Sequence, residues 1–340
     1  MRAFVVTGPG TYEVQDLQKP IAAPGEVVVD VERVGVCGTD VELFTGEMAY
    51  LHQGLAAHPL RPGHEWSGRV VSVGPGVDAG WLGRRVTGDT MLGCGTCHRC
   101  THSRQHLCEQ RDELGVRGPR PGALAEQVSV PATSLHTLPA SIDATLGALV
   151  EPGGNALRAA QAAVRDRGER VLVLGPGTIG LLTAMFARSL GAEVHLVGET
   201  QSSLDFAGSL GFEHLWRHAA VPDLPFEAVV DASNATPLPA LALDLVEPGG
   251  RVVYIGLAPE PSRIDTRTLA LKDVTAVGVL SASPALDATI AAYADRSVDP
   301  RSLVGATVGL EQIGPVLVGE RPAGAGAGPK IHVDPRLIER

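Results

Sequence analysis

The chain has 340 residues, 44% of them hydrophobic and 19% charged, with a net charge of −10. That length exceeds one ordinary core and predicts two domains, while an acidic balance with no basic stripe to neutralise phosphates excludes a nucleic-acid partner. No run of about 18 apolar residues is present to span a membrane, and the opening MRAFVVTGPG reads as a strand and turn rather than a signal peptide, so a cytoplasmic protein is expected.

In chain order, strands are predicted at 2–6, 27–35, 68–73 and 126–131, separated by Pro-Gly and Gly-Pro turns at 24–25, 62–63 and 74–76. Short strands with dense turn signals indicate a small barrel-like unit. Helical character begins at Asn155, in NALRAAQAAV, and strands then alternate with helices. Strands are predicted at 170–174, 193–198, 227–231, 250–255 and 274–279, with a weaker one near 212–215, and a helix at 178–190. Such alternation means right-handed crossovers and a parallel sheet, and six strands fit a doubly wound dinucleotide fold. After about residue 296, short strands at 304–308 and 330–333 flank a Gly/Ala/Pro loop and are expected to return to the first domain.

The five cysteines are unevenly placed. Cys94, Cys97, Cys100 and Cys108 fall within fifteen residues, with two-residue gaps that let a loop wrap one ion. Four thiolates make a closed, tetrahedral, structural zinc site. His98, His102 and His106 lie among them and are read as solvent-facing, because the thiolates already fill the site.

Residues 175–180, GPGTIG, follow the apolar strand RVLVL and open a helix, which is the context a dinucleotide loop requires. Gly175 makes the turn, Gly177 admits a pyrophosphate, and Gly180 lets the helix pack on its strand. Thr178 and Ile179 begin that helix, whose free N–H groups face the phosphates. Glu199 ends the next strand, nineteen residues after Gly180. A carboxylate there accepts bonds from ribose hydroxyls and repels a 2′-phosphate. Thr200–Ser203 offer no Arg or Lys, which favours NAD over NADP.

Cys37 in VGVCGTD, His64 and Glu65 in PGHEWSG, and Glu151 in LVEPGG share no local spacing. Singly, each has an ordinary structural reading. Together with the cysteine lobe and the glycine loop, and in this order, they make the chain resemble the zinc-containing medium-chain dehydrogenases, the superfamily of alcohol, sorbitol, threonine and butanediol dehydrogenases. The resemblance implies an α/β protein: a GroES-like β-rich catalytic domain (1–154 and 296–340, with the structural zinc lobe at 93–109) and a doubly wound Rossmann coenzyme domain (155–295). It implies two zinc ions per chain and NAD. Cys37 and His64 match catalytic zinc ligands, with the third protein ligand either Glu65 or Glu151. Asp40 matches the carboxylate that orients His64, and Thr39 the hydroxyl that bonds the substrate oxygen. Glu42 replaces the histidine that many members carry as the outer end of a proton relay, leaving either this carboxylate or water as the terminal base.

The resemblance further implies reversible hydride transfer from a secondary alcohol to NAD, giving the ketone. Glu151, Glu42, Asp89 and Thr90 predict a polar pocket suited to a polyol, sugar, cyclitol or vicinal diol. Phe44 and Met48 are candidates for pocket or core, and Trp66 for packing. The alternatives are an NADP-dependent sugar dehydrogenase, a simple-alcohol dehydrogenase of the same family, or a non-catalytic NAD-binding protein on this fold. A homodimer or homotetramer is expected, with strand 274–279 as its edge.

Overall fold

The computed structural model of the chain describes residues 1–258 and 260–338. Contacts divide it into two compact units: Met1–Glu151 with Leu286–Ala294 and Leu303–Arg340, and Pro152–Ala285 with Asp295–Ser302.

The first unit is built on a seven-stranded sheet. Its order runs Val304–Val308, Lys330–Val333, Glu26–Gly35, Glu65–Val73, Arg85–Gly88, Leu135–Thr137, and Gln127–Pro131 pairs separately with Glu26–Gly35. The central strand is the valine-rich run EVVVDVERVG, buried along most of its length. Val27, Val29, Val31 and Val34 pack there with Phe4, Trp66 and Ile331. Phe44 belongs to the same core, and Trp66 is wholly buried, so both are packing residues. The register decides where chemistry can occur. Gly35 stands opposite Glu65 on one side and His332 on the other. The chain then leaves the sheet at Val36 and enters the helix Gly38–Thr45, which Cys37 caps. Helix Leu286–Ala294 joins this unit through buried Tyr293, whose hydroxyl donates to the Leu149 carbonyl (3.2 Å).

The second unit is a six-stranded, wholly parallel sheet: His214–Arg217, Glu193–Gly198, Arg170–Leu174, Phe226–Asp231, Val246–Tyr254, Thr275–Gly278. In sequence rank this is 3-2-1-4-5-6, the doubly wound order. The first strand, RVLVL, is central and its last four residues are buried, as a strand covered on both faces must be. The weakly signalled strand lies at His214–Arg217. The helix placed from Asn155 starts earlier, at Val150, so that Glu151 stands in its first turn.

Candidate active site

In the first unit, the ligand atoms of Cys37, His64 and Glu65 lie within 4.8 Å of one another. Local structure brings them together. Cys37 ends the loop off the central strand, while His64 and Glu65 begin the neighbouring strand. Asp40, wholly buried, ties the two segments: Oδ2 accepts from the Cys37 backbone N–H (2.9 Å) and Oδ1 from the Gly63 N–H (3.2 Å). Oδ1 also lies 3.6 Å from His64 Nδ1, which has no hydrogen-bond partner among the described residues. A ring faced by Asp40 at Nδ1 presents Nε2 as its remaining donor. Burial alone would lower the His64 pKa, but the Asp40 and Cys37 charges outweigh it and raise it well above the usual range. Asp40 and Cys37 thus favour positive charge at this ring. A soft thiol, an imidazole and a carboxylate form the donor set that zinc takes when a coordination position is left open for substrate.

Glu65 has a second partner that the sequence reading missed. Lys330, at the start of the strand Lys330–Val333, donates to both Glu65 carboxylate oxygens (2.9 and 2.7 Å) and to the Val36 carbonyl (2.9 Å). Lysine and glutamate are 4% and 1% exposed. Burial opposes the ammonium charge, yet Glu65, with Cys37 and Asp40 beyond it, raises the lysine's pKa. Gly35 completes the arrangement: a Cβ there would sit 2.1 Å from Glu65 Oε2, so only glycine admits the carboxylate.

Glu151 is buried in its helix but falls outside the Cys37–His64–Glu65 donor set. Thr39 is half-buried in the first turn of the helix capped by Cys37. Glu42 follows on the same helix face; burial pushes its carboxyl up, with Glu47 adding to the effect. The expectation that Asp89 and Thr90 line a pocket is corrected. Both are buried and engaged: Thr90 donates to the His64 carbonyl (3.3 Å), and Asp89 accepts from Met91 N (3.0 Å) and Gln105 Nε2 (3.0 Å). They brace the His64 segment and the cysteine lobe.

In that lobe the four thiols also lie within 4.8 Å. Cys94 and Cys100 Sγ are 4.0 Å apart, and Cys97 and Cys108 Sγ 3.8 Å. Sulfurs at the corners of a zinc tetrahedron are about 3.8 Å apart, given Zn–S of about 2.3 Å. Backbone N–H groups of Thr96 and Cys97 lower the Cys94 pKa to about 6, while burial pushes Cys100 up to about 12. The unequal thiols suit a site whose charge a cation must share. His98 and His102 are exposed as expected; His106 is buried, contrary to the solvent-facing reading, because the turn Gln105–Leu107 folds it inward.

A third cluster, Glu193, His195 and His214, also lies within 4.8 Å in the second unit. Its donors are already in use. The Trp216 indole N–H donates to His195 Nδ1 (3.1 Å), so Nε2 carries the proton and gives it to Glu193 (2.9 Å). Trp216, His195 and Glu193 thus form a hydrogen-bond chain in the second unit.

The glycine loop has the required geometry. Gly175 adopts φ +95°, and a Cβ on Gly180 would meet the Gly175 carbonyl oxygen at 1.9 Å. Gly177 caps the helix Thr178–Ser189 with open space beside it, as a phosphate approach needs. Ile179 sits in that helix's first turn, and Glu199 is exposed just beyond the second strand.

Comparison with known proteins agrees with both units. Residues 23–140 match the alcohol dehydrogenase GroES-like domain, and residues 178–296 the zinc-binding dehydrogenase domain. Sorbitol dehydrogenase of Halalkalibacterium halodurans is 31% identical, covering 89% of this chain and 91% of that protein. L-threonine 3-dehydrogenase of Sinorhizobium medicae is 31% identical, covering 82% and 83%. A solved zinc-binding dehydrogenase from Sinorhizobium meliloti 1021, bound to NADP, superposes with a TM-score of 0.88 at 26% identity, covering 98% of this chain and 99% of that one. Likeness of this extent, spread over both units and their motifs, makes the chain a member of the zinc-containing medium-chain dehydrogenases, with a GroES-like and a Rossmann-type domain.

Proposed function

We propose that the protein oxidises a polar secondary alcohol – a polyol, sugar, cyclitol or vicinal diol – reversibly to its ketone, with NAD as hydride acceptor. The observation that carries this reading is the convergence of half-buried Cys37 with buried His64 and Glu65 in one donor set. Of the two acids considered for the third ligand, Glu65 shares that set and Glu151 does not, which supports Glu65. When bound, zinc would act as a Lewis acid that lowers the pKa of the alcohol oxygen, and NAD would accept the hydride. Cys94, Cys97, Cys100 and Cys108 would hold a second, structural zinc.

The chain's own residues then orient and move a proton. Asp40 fixes the His64 ring. Thr39 accepts the hydrogen bond of the substrate hydroxyl and passes its own proton on. Glu42, on the same helix face with a raised carboxyl pKa, is the outer base. Glu199 suits the ribose hydroxyls of NAD. The names of the sorbitol and threonine relatives support a polar substrate, whereas the NADP in the Sinorhizobium meliloti structure favours the second reading, an NADP-dependent enzyme. The exposed edge strand Thr275–Gly278 supports self-association as a dimer or tetramer.

The test is NADH formation, read by absorbance, across polyols, sugars, cyclitols, diols, threonine and simple alcohols. Turnover is expected with a polar secondary alcohol, together with about two zinc ions per chain. Zinc-replete protein that oxidises none of them refutes the proposal.

A further inference from the structure

Accepting the dinucleotide reading above, we propose that Arg217 makes the adenosine end of the cofactor site able to hold NADP(H) as well as NAD(H). The strand order puts His214–Arg217 at the sheet edge, beside Glu193–Gly198. In the register, Arg217 is the partner of Gly198, the residue just before Glu199. Neighbouring strands lie about 4.8 Å apart, and residues in register on parallel strands point to the same face. That face is identified by Gly198. A Cβ there would meet Pro176 of the glycine loop at 3.0 Å and Ser203 Oγ at 3.0 Å. Arg217 therefore projects on the side that carries the glycine loop and the start of the helix Gln201–Ser209.

Two further observations make this guanidinium available. Arg217 is exposed, and its guanidinium makes no hydrogen bond or ion pair with any described residue. Glu199, equally exposed, is likewise without a partner among the described residues. The nearest competitor is Asp205, which lines a pocket of about 450 Å³ together with Arg217, Gln201 and Leu204, but its Oδ1 is occupied by the Gln201 amide (2.8 Å). One strand end thus offers a carboxylate for a ribose diol, and the adjacent strand end a guanidinium for a phosphate. Thr200 and Ser202, which follow Glu199 in sequence, are exposed. The segment 200–203 alone predicted discrimination against NADP because it holds no basic residue. The basic residue comes instead from the next strand, 18 positions after Glu199. A guanidinium paired with phosphate forms charge-assisted, frequently bidentate hydrogen bonds, enough to offset the Glu199 charge.

The test is equilibrium binding to the full-length, zinc-loaded protein, read by the fluorescence of NADH and NADPH. The inference expects NADPH affinity within about tenfold of NADH affinity, since charge-assisted bonds to Arg217 balance the repulsion of Glu199. It also expects 2′,5′-ADP to displace NADH with an affinity within about tenfold of that of 5′-AMP, a comparison that isolates the 2′-phosphate and needs no variant. Arg217→Leu should weaken NADPH about tenfold or more relative to NADH, and Arg217→Lys should restore part of the loss. NADPH more than about tenfold weaker than NADH, or an Arg217→Leu variant that loses both cofactors equally, overturns the role of Arg217 while leaving the dehydrogenase reading intact. Failure of both NADH and NADPH to bind overturns the dinucleotide reading itself, and this inference with it.

Discussion

Replacing Lys330 by methionine tests the electrostatic design of the site. The substitution keeps the length and apolar stem of the side chain and removes only the ammonium. That group contacts both oxygens of a carboxylate that is 1% exposed, and it is itself 4% exposed. Taking one partner from a buried ion pair costs about 3–5 kcal/mol, because the remaining charge stays uncompensated. In zinc-free protein, Lys330→Met should therefore lower the unfolding free energy of the first unit by about that amount. Zinc supplies a replacement counter-charge, so the loss should shrink in the zinc-loaded protein. A Lys330→Met/Glu65→Gln double variant should recover most of the stability, since neither charge remains buried. The assay is urea unfolding with chelator and with zinc, followed by tryptophan fluorescence; Trp66 lies in this core. A loss below about 1 kcal/mol in chelated Lys330→Met protein, the size of a surface pair, would refute the reasoning.

Other sites give sharper local tests. Buried His332 has neither ring nitrogen hydrogen-bonded to any described residue, and burial, with Lys330 and Arg33, lowers its pKa to about 3. Unfolded, it titrates near pH 6.5, so its neutral form is stabilising above about pH 6.5, and roughly 1.4 kcal/mol is lost per pH unit as pH falls from there towards the folded value. His332→Leu should flatten that acid slope in denaturant unfolding at pH 4.5 and 7; an unchanged slope sinks the idea. Asp40→Ala should lower zinc affinity at the Cys37 site about 10–100-fold, measured by competition with a chromophoric chelator, because the carboxylate that accepts from the Cys37 and Gly63 N–H groups and faces His64 Nδ1 is lost. Wild-type affinity would show that Asp40 does not position that ring. Gly180→Ala places a methyl 1.9 Å from the Gly175 carbonyl, a clash of about 1–3 kcal/mol that must displace the loop. NADH binding should weaken about tenfold or more, and unaltered binding would mean that the loop does not contact the cofactor.

What the sequence displayed depended on how far apart the cooperating residues lie. The cysteine lobe spans fifteen positions, and its spacing alone announced four converging thiols. The strand RVLVL and the loop after it were legible because hydrophobic runs and glycines act locally. The Cys37–His64–Glu65 set was named by resemblance, and geometry then separated Glu65 from Glu151. Lys330 and Arg217 were invisible as site residues. Each reaches its place through strand register, and register across 265 positions, as between Lys330 and Glu65, leaves no periodic trace. Asp89, Thr90 and His106 were misjudged for the same reason, because polarity in sequence does not tell whether a side chain faces solvent or a buried backbone group.

The distance between Lys330 and its partner also sets an order of assembly. During synthesis the four lobe cysteines, whose thiols lie within 4.8 Å of one another in the fold, are all available by residue 108. Cys37, His64 and Glu65 emerge earlier still, whereas the strand that carries the lysine begins only at residue 330. Until it docks, a bound metal is the available counter-charge for the buried Glu65 carboxylate. Early metal loading would then act as a placeholder for Lys330, and the cell's free zinc, rather than the finished fold alone, would influence how smoothly the first unit matures.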